Sequence, residues 1–108
     1  MADFPGQDRK LLRELKPATL DRLCEQILRR ATGISKLPGL THDQRFLKLL
    51  DLIQEQNDEV AAALNVHRRS TAFTKIVQTR RRGLFTEEEF SRFGEQTRNQ
   101  VLAVEATR

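Results

Sequence analysis

The chain has 108 residues, the size of one domain that buries roughly two-thirds of the surface its unfolded form exposes. With 38% hydrophobic and 31% charged residues, six Phe and neither Trp nor Tyr, it reads as a folded chain with an aliphatic core seeded by Phe, which excludes disorder as the organising principle. A net charge of +4 suits an acidic protein partner or nucleic acid and requires neither, while the single cysteine excludes an internal disulfide and a multi-thiolate zinc site.

In chain order, Asp8 to Leu15 predicts a short helix with Leu11, Leu12 and Leu15 on one side, ended where Pro17 restricts Lys16. Residues 1–7 before it are expected to be a flexible N-terminus of a single domain spanning 1–108. A second helix follows from Ala18. Leu20, Leu23, Cys24, Ile27, Leu28 and Ala31 recur at helical spacing, and Gly33 is the expected C-cap. Cys24 lies on that apolar face, where a buried small hydrophobe is the simplest reading. The segment Gly33 to Leu40 has two Gly and a Pro, yet keeps Ile34, Leu37 and Leu40, so it predicts a loop pinned to the core.

Thr41 opens the pattern Thr-His-Asp-Gln, a capping box in which the Thr hydroxyl and Gln44 satisfy free amides of a new helix. Phe46, Leu47, Leu49, Leu50, Leu52 and Ile53 cover more than half of that helix, so it is expected to be touched on two sides.

The stretch from Glu59 to Gly83 admits two readings. As a helix-turn-helix over residues 57–80, Val60, Ala61 and Leu64 pack the first helix, Asn65 takes the turn, and His67, Arg68, Arg69, Ser70 and Lys75 meet duplex DNA. The inward positions of its second helix, however, fall on Thr71 and Thr74, whereas the apolar residues are Phe73, Ile76 and Val77. As one helix continued from Thr41, Phe46, Leu50, Ile53, Val60 and Leu64 hold one face, but Phe73 stands about half a turn away at 100° per residue. Either the chain breaks near Asn65 or one helix buries opposite faces against different neighbours, a second subunit among them. Arg80, Arg81 and Arg82 precede Gly83, a helix end where cations are favoured in any case.

Thr86 to Glu89 forms a second capping box, and the helix it starts is expected to run on through Phe90, Phe93, Thr97, Val101 and Val104. No stretch alternates with period two, so the fold class is all-α: a small bundle of about four to five helices, expected to pair as a dimer.

His42 and His67 fall in no metal-ligand spacing, the carboxylates sit at helix surfaces and starts, and there is no glycine-rich phosphate loop or nucleophile elbow. The chain is therefore expected to be no enzyme and to need no cofactor, with no small-molecule substrate. No apolar run approaches ~18 residues and the N-terminus has no hydrophobic segment, so the membrane is not an expected partner and the cytoplasm is the expected compartment.

The segments FLKLLDLI, HRRSTAF and RRRGLFTEEEF make residues 46–104 resemble the cyanobacterial fluorescence recovery proteins. That resemblance implies an all-α dimer that grips a protein partner, the orange carotenoid protein, with a Trp, His, Asp and Arg cluster on its long helix. Asp51 matches that cluster, Leu47 and Leu50 stand at the Trp and His, and Asn57 stands at the Arg. Together these readings predict a regulatory or protein-interaction module that self-associates and binds a protein through Asp51, Arg68, Arg69, Arg80, Arg81 and Arg82. A DNA-binding regulator is the alternative.

Overall fold

The structure, a computed structural model, describes residues 5–64 and 69–107, apart from the side chains of residues 62–71. Among the described residues five helices follow one another: α1 (Gly6–Ser35), α2 (His42–Leu64), α3 (Arg69–Arg81), α4 (Glu87–Ser91) and α5 (Glu95–Ala106). Among the described residues there is no strand, and no helix is long and apolar enough to cross a membrane.

The two helices expected on either side of Pro17 are one. α1 carries Pro17 inside its 30 residues. Proline removes one backbone donor and crowds the carbonyl four residues back, here that of Arg13. Arg13 and Pro17 are both exposed, so water can take up the freed carbonyl. Buried Leu11, Leu12 and Leu15 before the proline and buried Leu23 after it hold both halves to the rest of the fold. The helix also runs past Gly33 to Ser35, so the expected C-cap is displaced. Lys36 and Leu37 amides donate to Gly33 and Ile34 carbonyls at 3.2 Å each, and the left-handed turn falls at Gly39, φ 78°. Residues 6 and 7, expected in a flexible terminus, lie in the first turn of α1.

Both capping boxes form. The Thr41 amide donates to Gln44 Oε1 at 2.9 Å while the Gln44 amide donates to Thr41 Oγ1 at 3.3 Å. Arg45, one turn further, donates to the Leu37 and Leu40 carbonyls at 2.9 and 2.8 Å, which fastens the loop to the start of α2. At Thr86 the box is complete in both directions, yet the helix it starts stops at Ser91. A new helix starts at Glu95, where the amide of the residue before it and a hydroxyl of its first turn find a partner far back in the chain. The buried Asp8 carboxylate accepts the Gly94 amide at 3.0 Å and the Thr97 hydroxyl at 2.5 Å. Gly94 is the N-cap residue and has no side chain to cap with; Asp8 of α1 holds the Gly94 amide itself, the bond that the third helical residue makes in a capping box.

The core belongs to one end of the molecule. Leu11, Leu12 and Leu15 of α1 meet Ala72, Ile76 and Val77 of α3, Phe90 and Phe93, and Val101 of α5. Phe85 stacks edge-on to Phe93 at 5.5 Å between ring centroids. The second half of α1 and the first half of α2 leave this base as an antiparallel hairpin, and the molecule measures 54 × 25 × 23 Å. Its radius of gyration is 16.7 Å, against about 13 Å for a compact chain of this length. Cys24, expected to be buried, is half-buried on this hairpin because only α2 covers α1 there.

Candidate interaction surface

On α2, positions 45, 49, 52, 56 and 59 share the more buried face, and of these only Leu52 is fully buried. At 100° per residue, Phe46, Leu50, Ile53, Asn57 and Val60 form a separate row well round the helix from that contact. Apart from Asn57 the row is apolar, and up to Asn57 it is open to solvent: Phe46 is 62% exposed, Leu47 beside it 55%, Leu50 38% and Ile53 52%, while Val60 is half-buried. Leu28 on the neighbouring α1 is 66% exposed. The sequence predicted a helix touched on two sides; within one chain, α1 covers only one of them. Asp51, the expected contact residue, is exposed on the flank occupied by Lys48, Glu55 and Asp58, away from the row.

The arginines at the end of α3 are mostly committed to the fold. Arg80 Nε lies 3.0 Å from Glu105 Oε2 without its N–H aligned on that oxygen, and its guanidinium carbon sits 4.1 Å above the Phe90 ring. Such a cation over an aromatic face, half-shielded from water, is a packing contact as much as a charge. Arg82 pairs with Glu59 at 2.5 Å, and its carbonyl accepts Gln26 Nε2 at 3.0 Å, so it joins α2, α1 and the end of α3. Arg81, between them, is exposed. The helix end itself closes as expected: Gly83 has φ 72°, its amide donates to Arg80 and that of Leu84 to Thr79.

Of the residues expected to meet duplex DNA, His67 and Arg68 lie outside the described residues, as does the expected break at Asn65. Arg69 and Ser70 lie in the first turn of α3, with their side chains outside the description. Lys75 is half-buried on the same helix, and burial holds its ammonium pKa below the usual lysine value.

Two contacts that shape this surface escaped the sequence reading. Arg22 on α1 holds Glu89 in a fork, Nη1 to Oε1 at 2.6 Å and Nη2 to Oε2 at 3.1 Å, and also donates to the Leu84 carbonyl at 2.7 Å. The Arg22 hydrogen bond is the main cause holding the Glu89 carboxyl below its usual pKa, against the opposing effect of burial. Arg22 therefore sets the capping box of α4 against α1. Neither partner lies near the other in sequence, and nothing in the local pattern of α1 marks Arg22 among its exposed neighbours. The exposed row was different: its alternating steps of four and three residues are readable in the sequence once the other side of α2 is known to be filled.

Among the described residues no three His, Cys, Asp or Glu side chains come together as ligands for a metal ion. Comparison with protein-family models, with curated proteins and with solved structures finds no match to this chain, so the surface is read from its own residues.

Proposed function

We propose that this protein is a non-enzymatic helical regulatory module that self-associates and holds a protein partner, with the projecting α1–α2 hairpin as its working surface. The observation that carries the reading is the exposed row of Phe46, Leu47, Leu50 and Ile53 on a helix whose other side is already packed. Large apolar side chains gathered on one helix face, at the end of a molecule remote from its core, are costly in water unless another surface covers them. Arg81 and the ion-paired Arg82 at the root of the hairpin supply charge for a rim.

The alternative, a reader of duplex DNA, draws on the basic residues at the start of α3 and just before it, Arg68 and Arg69 among them. It is the weaker reading because two of the three described cations of α3, Lys75 and Arg80, are half-buried, Arg80 against Phe90 and Glu105, and only Arg81 is open to meet phosphates.

A benzophenone amino acid placed at exposed position 47 tests the proposal in cells that make the protein. Light is expected to produce a discrete covalent adduct with a protein, either a second copy or another chain. A position on the row that yields no protein adduct, while the protein remains folded, sinks the reading.

A further inference from the structure

We infer that the row on α2 is covered by α2 of a second copy of this chain, helix against helix, with Asn57 as the polar position that disciplines the pairing. The inference rests on the reading of the hairpin as an interaction surface and adds the identity of the occupant.

The spacing selects a helix as the occupant. Phe46, Leu50, Ile53, Asn57 and Val60 are separated by steps of four, three, four and three residues, the alternation of a seam where two helices interlock. The row is about 21 Å long at 1.5 Å per residue, and a helix laid along it meets successive side chains at matching levels. A sheet edge or an irregular segment would meet only some of them.

Charge then favours a copy over a foreign helix. From Phe46 to Ala61 the row and the flank beside it are Phe46, Leu47, Leu50, Ile53, Gln54, Asn57, Val60 and Ala61, all uncharged. The charged side chains Lys48, Asp51, Glu55 and Asp58 lie round the helix from them. Helices that choose a foreign partner do so largely by opposite charges along the seam, and helices that avoid themselves do so by like charges there. Between Phe46 and Ala61 this seam has neither, the nearest charge in its repeat being Asp43 in the first turn of α2, so two copies meet there without repulsion, and a twofold arrangement buries the same residues on both. About a quarter turn round α2, Leu52 is buried, Leu49 and Gln56 are half-buried, Arg45 is held by the Leu37 and Leu40 carbonyls and Glu59 by Arg82, which fixes which face is offered.

Asn57 gives the seam its discipline. An amide in an apolar row costs stability when it is desolvated without a partner, so it favours the pairings in which it meets another amide or the water at the rim. A uniformly apolar row would allow slipped registers that this one penalises.

Sedimentation of the full chain, up to roughly 100 µM, tests the inference. The wild type is expected to dimerise reversibly. Leu50→Asp with Ile53→Asp, both exposed within one chain, should weaken the dimer by at least about a hundredfold while helical circular dichroism and the near-ultraviolet Phe signal stay unchanged. Asn57→Leu should tighten it by roughly tenfold or more, and Glu55→Lys on the charged flank should leave it as it is. A wild type that stays monomeric, or a dimer indifferent to the two aspartates, overturns the assignment of the second copy. A monomer that still forms an adduct with another protein from position 47 overturns only that assignment, whereas a monomer without any adduct removes the interaction reading with it.

Discussion

The Arg22–Glu89 pair shows how one contact can serve two purposes. Glu89 Oε1 accepts the Thr86 amide at 2.9 Å as part of its capping box and Arg22 Nη1 at 2.6 Å. Cap and cross-link therefore share a charge. A carboxyl whose pKa is lower in the folded chain than in the unfolded one adds stability that is complete above the unfolded value, about 4.3, and disappears as pH falls through the folded value. Glu89→Gln keeps an amide oxygen for the Thr86 amide but loses the charge. It is expected to lower stability at pH 7 by about 1 kcal/mol, below the usual range for a charged hydrogen bond because Arg22 is a third exposed. In urea titrations at several pH values, the gap between wild type and variant should narrow below about pH 4.3. A gap that stays constant down to strong acid would mean that the charge of Glu89 contributes nothing.

At the scale of elements, the departures from expectation have one cause: a local signal was outweighed by a contact distant in sequence. Thr41 and Thr86 were legible because a capping box lies within four residues and both its bonds are local. Gly83 was legible for the same reason, its positive φ and its bonds closing within the last turn of α3. Pro17 was read as an end because its cost is local, whereas the burial of Leu11, Leu12, Leu15 and Leu23 that overrides it is tertiary. The break between α4 and α5 was not legible because the group that holds the Gly94 amide is Asp8, at the other end of the chain. The interaction row was half-legible. Its apolar faces were visible, but which of them α1 covers is decided by how the hairpin closes. If α1 runs through Pro17 at a cost, Pro17→Ala restores the backbone bond to Arg13 and should stabilise the protein by about 2 kcal/mol, less than the full helix penalty because the proline also stiffens the unfolded chain. Chemical denaturation measures it. No gain, or a loss, would show that the bend or the ring itself is needed by the fold.

The whole molecule is lopsided. Its core of Leu, Ile, Val and Phe is concentrated where α1, α3, α4 and α5 meet, while the hairpin contributes few fully buried residues, Leu23 and Leu52 among them. Backbone amides open most readily where little apolar surface is buried. In the Leu50→Asp, Ile53→Asp variant, amides of residues 24–34 and 43–56 are therefore expected to exchange with deuterium faster than those of residues 97–104. Equal protection of hairpin and base would mean that the hairpin is stable by itself and has no need of cover.

Asp8 joins the beginning of the chain to Gly94 and Thr97, across 86 and 89 positions of sequence. Closing so long a loop costs conformational entropy, and contacts of this range form late. A chain emerging from the ribosome can fold its hairpin from residues near one another while Asp8 still waits for the residues that will bury it. If the row on α2 pairs with a second copy, two nascent chains can meet along it before Asp8 has closed the base of either.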